Sequence, residues 1–370
     1  MAWMAGIGVL VLLLASGATR RWDNALYDLH LRHWSYPPDS DVIIVAIDPK
    51  SLDELGRWPW PRSVHAKLID RLHAAGVQVI GMDVVLSSDD TGHPEQDQLL
   101  GESMHRAGNV VLPVFAESVD LGGQLQESLP VTTILRQAAG IGHVDTAKDE
   151  DDMVRGAYLK AGLGRPYWPA LALAVYDFGR PASNKPLPGL RNPDPDDASP
   201  YLWMRDDYVL LRYAGPAGSF GRVSYVDVLD GTTPAELLKG RSVFIGATAE
   251  GLGDMIRTPP SIMPGVEYQA NILESLRRGM LITPLGFLGQ LALGSGTLAL
   301  PLLLFGLRGF RSMWRSAVVA TLSAIVLSIF LLRTCQLWWP PSACLLIIGT
   351  VLACRMLFVV RQRFLRMQGT

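Results

Sequence analysis

The sequence of 370 residues is 49% hydrophobic and 18% charged, and its charges are segregated along the chain. All 35 acidic residues lie between Asp23 and Glu274. The 25 basic residues between Arg20 and Arg278 leave that stretch with a formal charge of −10, while eight Arg and no acid follow Arg278. This negative charge argues against nucleic acid and anionic lipid headgroups as partners of the acidic region. The three cysteines all follow residue 334, so the acidic region folds without a disulfide.

The chain begins with an apolar run at residues 2–19. Its length approaches the roughly 20 residues that a helix needs to cross a membrane. We expect an uncleaved transmembrane anchor here. A cleavable signal peptide is the alternative, because small residues occupy positions 15–18, but no basic residue precedes the run.

Helices and strands then alternate in the predicted order. Residues 22–32 are predicted to form a helix, and the β-branched run at 42–47 predicts a buried strand. The elements predicted next are a helix at 63–75, a strand at 77–82, a helix at 95–107 and a strand at 109–115. Because strand–helix–strand units pair their strands in parallel, the predicted fold class is α/β, a doubly wound domain with a mainly parallel sheet.

The second half of the acidic region has shorter predicted elements. These are strands at 154–160, 208–213 and 241–245 and helices at 169–178, 233–239 and 265–278. Thr233 is expected to cap the second of these helices, with Pro234 at the first helical position. Residues 180–200 contain six prolines and are predicted to form an exposed loop.

Three further apolar segments end the chain, at residues 284–307, 316–332 and 337–360. Each is predicted to be a transmembrane helix, which makes four with the first. The third helix carries small residues at a spacing of four: Ser316, Ala320, Ala324 and Ser328. Small residues let helix backbones approach closely in lipid, so we expect a packed three-helix bundle.

Arginines orient these helices. The two basic segments are the loop with Arg308, Arg311 and Arg315 and the tail with Arg361, Arg363 and Arg366. Both belong in the cytoplasm by the positive-inside rule, which outweighs Arg20 and Arg21 after the first helix. The expected domains are an anchor at 1–20, an extracytoplasmic domain at 21–280, a transmembrane bundle at 281–360 and a cytoplasmic tail at 361–370. The protein is thus expected in a cell inner membrane, with its large domain in the periplasm or extracellular space.

Several motifs carry a resemblance to a known family. They include Ile44-Val45-Ala46-Ile47-Asp48, Gly56-Arg57-Trp58-Pro59-Trp60-Pro61-Arg62, Gly142-His143-Val144 and Pro264-Gly265-Val266-Glu267. The chain resembles the type-two CHASE domain, an extracellular sensory domain found with cyclases and histidine kinases. The resemblance implies one anchor before the domain, three helices after it and a cytoplasmic output module. Gln269 departs from it, because the family often has His there.

Three aspartates are predicted at one edge of the sheet. Asp48 and Asp83 end the first two parallel strands and Asp254 follows a third, and ligands of open α/β sheets bind at that edge. The three carboxylates are candidates to hold a hard cation or another ligand, together with His143 and Glu267. The alternative is structural, because Asp48 before Pro49 suits a helix cap and Asp83 suits a turn.

Other candidate ligand-binding residues are aromatic or basic. Trp58 and Trp60 each precede proline, which stiffens a platform beside Arg62 that suits a ring or a carboxylate. A lid packed on the core is the alternative for both indoles. His143 and Arg155 are candidates too, although an internal hydrogen bond or ion pair is the default expectation for each.

The predicted function is sensory input rather than catalysis. The sequence carries no Walker loop, nucleophile elbow or HExxH motif, so no enzyme activity, metal or cofactor is expected. Expected partners are the membrane, a small-molecule or protein signal, and a cytoplasmic output protein unless the chain is the input half of a longer receptor. The resemblance adds a homodimer. The alternatives are a metal-dependent hydrolase using Asp48, Asp83 and Asp254, and a membrane scaffold without ligand.

Overall fold

A computed structural model describes residues 2–87, 94–118, 124–181, 185–192, 199–252, 255–305 and 310–368. The helices are α1 (Ala2–Ser16), α2 (Arg20–Arg32), α3 (Pro49–Leu55), α4 (Arg62–Ala74), α5 (Pro94–Ala107), α6 (Thr132–Leu135), α7 (Leu171–Asp177), α8 (Tyr225–Asp230), α9 (Gly265–Arg277), α10 (Phe287–Phe305), α11 (Phe310–Thr334) and α12 (Ser342–Gln368). The strands are β1 (Val42–Ile47), β2 (Val79–Asp83), β3 (Val110–Ser118), β4 (Leu125–Ser128), β5 (Gly140–His143), β6 (Ala147–Lys148), β7 (Val154–Leu163), β8 (Trp168–Pro169), β9 (Trp203–Leu210), β10 (Gly221–Ser224), β11 (Ser242–Ala247), β12 (Met255–Arg257), β13 (Ile262–Pro264), β14 (Thr283–Pro284) and β15 (Leu337–Trp338).

The chain divides into two compact units. One combines Met1–His30 with Ile282–Thr370, and the other is Leu31–Leu281. The second unit contains almost the whole acidic region and carries both larger sheets.

A seven-stranded sheet organises Leu31–Leu281. Its order is β10-β1-β11-β2-β3-β4, with β5 also paired to β3, and every pair is parallel except β3 with β4. All six residues of β1 are buried, as are the first five of β11. Strands of a parallel sheet that are covered on both faces need such unbroken apolar runs. The predicted α/β class with a mainly parallel sheet is therefore confirmed.

Helix α4 packs one face into the core of this unit. Leu68, Ile69 and Leu72 are fully buried, at the spacing that places them on one helical face. They join Ile80 of β2 and Ile245 of β11 in one apolar cluster. The helix starts within a residue of its predicted start at 63, because Pro61 precedes it and cannot continue a helix backward.

A second sheet is antiparallel and was not distinguished in the sequence. It has the order β6-β7-β8, with β9 also paired to β7. The strands predicted at 154–160 and 208–213 are therefore partners of one another, in a register that pairs Gly156 with Leu210. A Cβ atom on Gly156 would lie 2.2 Å from the Val209 carbonyl oxygen, so only glycine permits this close approach. Strand β9 ends at Leu210, three residues earlier than predicted.

The predicted helix at 233–239 is wrong. The segment forms one 3-10 turn at Ala235–Leu237, which begins after Pro234 and has no side-chain cap. The backbone N–H groups of Thr232 and Thr233 both donate to the Asp227 carbonyl oxygen, at 2.9 and 3.0 Å. Thr233 is thus bound through its backbone to the end of α8, and Pro234, which has no hydrogen-bonding side chain, precedes the 3-10 turn.

The predicted loop at 180–200 lies partly outside the described residues. Within the described part, Leu190 and Tyr208 exchange backbone hydrogen bonds of 2.8 and 2.9 Å. Arg191 forms an ion pair with the buried Asp206, at 2.8 Å. The segment is therefore irregular, as predicted, but it is attached to β9.

The other unit is helical, and two of its helices are long and apolar enough to cross a membrane. By length and composition these spans are Trp314–Thr334 and Ser342–Gln362. A third is counted only if Met4–Ser16 and Arg20–Arg32, which are bent by 77°, form one span. Helix α1 ends at Ser16, before Gly17 at φ 65°. The predicted count of four spans is thus not reached among the described residues. Residues 306–309, which include the predicted cytoplasmic Arg308, lie outside the described residues.

The small residues of α11 are buried. Ala320, Ala324 and Ser328 are at most 5% exposed, and Ser328 Oγ donates to the Trp339 carbonyl oxygen at 2.7 Å. Ala320 and Ala324 share an apolar cluster with Leu10 and Leu298. The predicted close packing along this stripe is therefore confirmed within the unit.

Candidate ligand-binding cleft

The parallel strands end at an open cleft of about 1120 Å³. Ile47, Ala247 and Asp83 end β1, β11 and β2, and all three line it. Its other walls are the segment from Trp58 to Arg62, residues 144–146 after β5, and the first turn of α9. Because parallel strands share one carboxyl edge, residues far apart in sequence converge there.

The two predicted indoles have different surroundings. Trp60 is 3% exposed, and its Nε1 donates to the Gly56 carbonyl oxygen at 2.9 Å. Its ring packs 4.8 Å from the ring of Tyr225, so Trp60 belongs to the core. Trp58 is half-buried and lies edge-on to Trp60, at 5.1 Å between ring centroids. Both residues line the cleft, but Trp58 is the more exposed of the two.

Arg62 lines the cleft and is held by a buried partner. Its Nε donates to Asp97 Oδ1 at 3.3 Å, and the two side chains are 12% and 6% exposed. The next residue, Ser63, donates from its backbone N–H and its hydroxyl to Gln96 Oε1, at 3.2 and 3.1 Å. Gln96 therefore satisfies an N–H group in the first turn of α4, and it lines the cleft as well.

Asp48 is a helix cap and does not line the cleft. Its Oδ1 accepts hydrogen bonds from the Ser51 N–H, the Ser51 hydroxyl and the Ser224 hydroxyl, at 2.9, 2.6 and 2.9 Å. Partial burial raises the pKa of this carboxyl, but the hydrogen bonds from Ser51 and Ser224 outweigh that effect and hold the pKa below its ordinary value of 3.8. The structural alternative, a helix cap, thus explains the hydrogen bonds that the Asp48 carboxylate accepts.

Replacing Asp48 with Ala is expected to lower the free energy of unfolding by about 1 kcal/mol at neutral pH, because the cap of α3 is lost. A lowered carboxyl pKa stabilises the fold above pH 3.8, so the difference from wild type should shrink as the pH falls below that value. Melting curves of both proteins at several pH values check this. Asp48→Asn, which keeps a cap, should recover most of the loss; equal losses in both variants would contradict the capping role.

His143 and Arg155, two further predicted site residues, lie outside the cleft lining. His143 is buried, and its Nδ1 accepts the Asp145 N–H at 3.3 Å. Arg155 is 3% exposed and pairs with Asp149 and Asp151, at 2.7 and 2.8 Å. These ion pairs connect β7 to the turn that precedes it. Arg155 therefore has the internal partner that was its default expectation.

Glu267 is fully buried and holds a neighbouring loop. Its Oε1 accepts the N–H groups of Gly218 and Ser219 at 2.8 and 3.1 Å, and its Oε2 accepts Arg222 Nη2 at 3.0 Å. The carboxylate is therefore saturated by the protein. Asp254, the third predicted aspartate, lies outside the described residues.

The proposed cation site has little support at this edge. No group of three or more His, Cys, Asp or Glu side chains among the described residues is positioned to hold a metal ion. Of the two described aspartates, only Asp83 lines the cleft.

Several lining residues were missed in the sequence. They are Gln96, Glu117, Asp145, Thr146 and Gln269. Asp145 and Thr146 lie two and three residues after β5, a strand that was not predicted, so the sequence analysis did not place them at the sheet edge. Gln269 was noted only as a departure from the family pattern. Gln96 follows no strand, and no signal in the sequence marks it.

Fold and cleft together define a class: a mainly parallel α/β domain with an open cleft at its carboxyl edge, in a chain with apolar helices of membrane-spanning length. The CHASE2 domain is the family whose pattern matches, over residues 5–307, and the chain belongs to this family. This match confirms the resemblance found in the sequence. CHASE2 domains are extracytoplasmic sensory domains and not catalytic ones. The chain matches no curated protein and no solved structure.

Proposed function

We propose that this chain is a membrane-anchored sensory input protein whose extracytoplasmic domain takes up a signal molecule in the cleft at the carboxyl edge of its main sheet. The observation that carries the proposal is the cleft itself. Its volume of about 1120 Å³ exceeds the roughly 300–1,000 Å³ typical of small-molecule sites. Trp58, Arg62 and Asp83 are the predicted site residues that support it best, since all three line the cleft.

Helix α9 is the proposed route of transmission. Its first turn contributes Val266, Tyr268 and Gln269 to the cleft wall. Nine residues separate its last residue, Arg277, from the start of α10 at Phe287. A ligand that prefers one position of α9 would bias the helices that follow, because a ligand shifts an equilibrium only by its different affinities for two states.

The wider arrangement belongs to this proposal. It comprises a doubly wound domain outside the cytoplasm of an inner membrane, four membrane spans and a basic cytoplasmic tail. Output passes to a cytoplasmic protein or module, and a homodimer is the assembly that family membership favours.

Ligand-induced stabilisation tests the proposal on the full chain in lipid nanodiscs. The panel is divalent cations, organic acids, uncharged sugars and cell-envelope fragments, with the melting temperature as readout. A ligand at 100 times its Kd stabilises the folded state by about 2.7 kcal/mol, so a specific ligand should raise the melting temperature clearly. The shift should be reduced in Asp83→Asn.

The matched control is Asp53→Asn, an exposed carboxylate on α3 that does not line the cleft. It should keep the full ligand-induced shift. A shift that both variants keep would move the binding site away from this edge. No shift from any compound would favour the scaffold without ligand.

A further inference from the structure

Helix α2 is separated from the apolar helix α1 by a sharp bend. Gly17 follows α1 at φ 65°, a backbone conformation that favours glycine. Thr19 precedes α2, and its carbonyl oxygen accepts the N–H groups of Trp22 and Asp23, both at 3.0 Å. The two helices meet at 77°. Membrane helices tilt by about 20° on average, so α1 and α2 do not form one straight span.

Helix α2 packs against the loop between the two candidate spans. Residues 335–341 connect these spans, so the loop lies at one face of the membrane. The ring centroid of Trp338 in this loop is 5.3 Å from that of Tyr27 and 6.0 Å from that of His30. Because the loop marks the level at which the apolar spans end, this contact places α2 at the depth of the lipid headgroups.

Helix α1 is packed among the apolar helices of the same unit. Leu10 is 1% exposed and belongs to one apolar cluster with Leu298 of α10, Ala324 of α11 and Ile347 of α12. The unit boundary falls at His30, so most of α2 is grouped with these helices and not with the acidic domain. At 77° to α1, helix α2 therefore runs across the end of the helical unit.

The face of α2 away from Tyr27 is apolar and exposed. Trp22, Ala25, Leu26 and Leu29 follow the i, i+3, i+4, i+7 spacing that places side chains on one helical face. Trp22 is 55% exposed and Leu29 52%, while Tyr27 is only 1% exposed. Water contact on such a stripe costs free energy in proportion to its apolar area. Lipid at the same depth would remove that cost.

The charge of α2 suits a lipid surface. Three arginines and two aspartates give this helix a formal charge of +1, although the longer stretch that contains it is strongly acidic. Arg21 is exposed and precedes Trp22 directly, and long basic side chains beside an apolar stripe reach lipid phosphates. Tryptophan itself is enriched at the boundary between membrane and water.

We propose that α2 is an interfacial helix that lies in the plane of the membrane, with Trp22, Ala25 and Leu29 among the lipid chains just below the headgroups. Its partner is thus the surface of a lipid bilayer, and Arg21 binds the phosphates. Helices of this kind bury their apolar face by about 5–10 Å. Through the contact of Tyr27 with Trp338, α2 also holds the loop 335–341 at the membrane surface.

Spin-label accessibility tests the proposal on the full chain in phosphatidylcholine vesicles. The two exposed cysteines are replaced (Cys335→Ser and Cys354→Ser), the buried Cys344 stays, and Leu29→Cys carries one nitroxide label. Oxygen concentrates in hydrocarbon, whereas a nickel chelate stays in water. We expect the ratio of oxygen to nickel relaxation at position 29 to be several-fold higher than at the control position.

The matched control is Leu99→Cys in the same background. Leu99 is also an exposed leucine, 42% exposed on α5, but it lies in the acidic domain. Its label should be relaxed mainly by the nickel chelate. Melting curves show whether each variant folds, and Ala25→Cys, a smaller change on the same stripe, carries the test if Leu29→Cys does not fold.

Two results would overturn the proposal. A label on the stripe that is as accessible to nickel as the label at position 99 would place α2 in water. A label shielded from both reagents would mean that protein covers the stripe. Line broadening that disappears on dilution with unlabelled protein would then identify the cover as a second copy of the chain.

Discussion

Replacing Glu267 with Ala is expected to lower the free energy of unfolding by about 3–5 kcal/mol, the loss typical when one partner of a buried ion pair is removed. The carboxylate is fully buried and binds the N–H groups of Gly218 and Ser219 and the guanidinium of Arg222. Without it, those donors lose their acceptor and Arg222 loses its counter-charge. Thermal melting of the full chain measures the effect.

Glu236→Ala provides the matched control, because Glu236 is exposed on the 3-10 turn and makes no described contact of this kind. Its melting temperature should stay close to wild type. If Glu267→Ala instead melted like wild type and lost only ligand-induced stabilisation, Glu267 would be the ligand-binding residue of the earlier hypothesis.

Mild acid is expected to destabilise the domain through two buried histidines. Burial lowers the pKa of His65 from 6.5 to about 3 and that of His143 to about 4. Arg62 lowers the first further, while Asp145 partly opposes the effect on the second. Both side chains stay neutral in the fold while the unfolded chain takes up protons below pH 6.5. The free energy of unfolding therefore falls with pH.

Between pH 6.5 and 5, each histidine should contribute a loss of about 1.6 kcal/mol, because the slope rises from about 0.7 kcal/mol per pH unit at the unfolded pKa toward its limit of about 1.4. His65→Asn should remove about half of the combined loss from the two histidines, because Asn takes up no proton in this pH range. It also places a polar atom near the Tyr225 hydroxyl, which lies 2.8 Å from His65 Nδ1. Melting curves at pH 6.5 and 5 measure the slope.

His105→Asn is the control, since His105 is exposed on α5 and reports the general effect of losing an imidazole. An unchanged slope in His65→Asn would mean that His65 accepts a proton within the fold. In that case the packing of Trp58 and Trp60 around it would have to open to water.

Four strands of the parallel sheet, β1, β2, β3 and β11, were predicted because their signal is local, whereas the short β5 and β10 were not predicted. β1 is the unbroken apolar run 42–47, and burial on both faces is what makes such a run necessary. The helix around Leu68 and Leu72 follows from the spacing of its apolar residues. The Trp-Pro-Trp-Pro-Arg segment was recognised for the same reason, since its pattern is contained in five consecutive residues.

The chemistry of the site was less predictable because it depends on partners distant in sequence. Asp48 and Asp83 both end parallel strands, yet Ser51 and Ser224 occupy the carboxylate of Asp48, and Asp83 lines the cleft. Glu267 was a candidate ligand residue, but its contacts lie 45 to 49 residues away.

The sequence by itself thus determined the α/β class, the apolar helices at both ends and the CHASE2 family, because periodicity, composition and short motifs are properties of neighbouring residues. The tertiary structure decided that β7 pairs with β9 in a separate antiparallel sheet, and that Gln96 and Gln269 reach one cleft from helices far apart in the chain. Strand pairing and the direction of a polar side chain depend on which surfaces meet when the core is buried. No local pattern encodes that meeting.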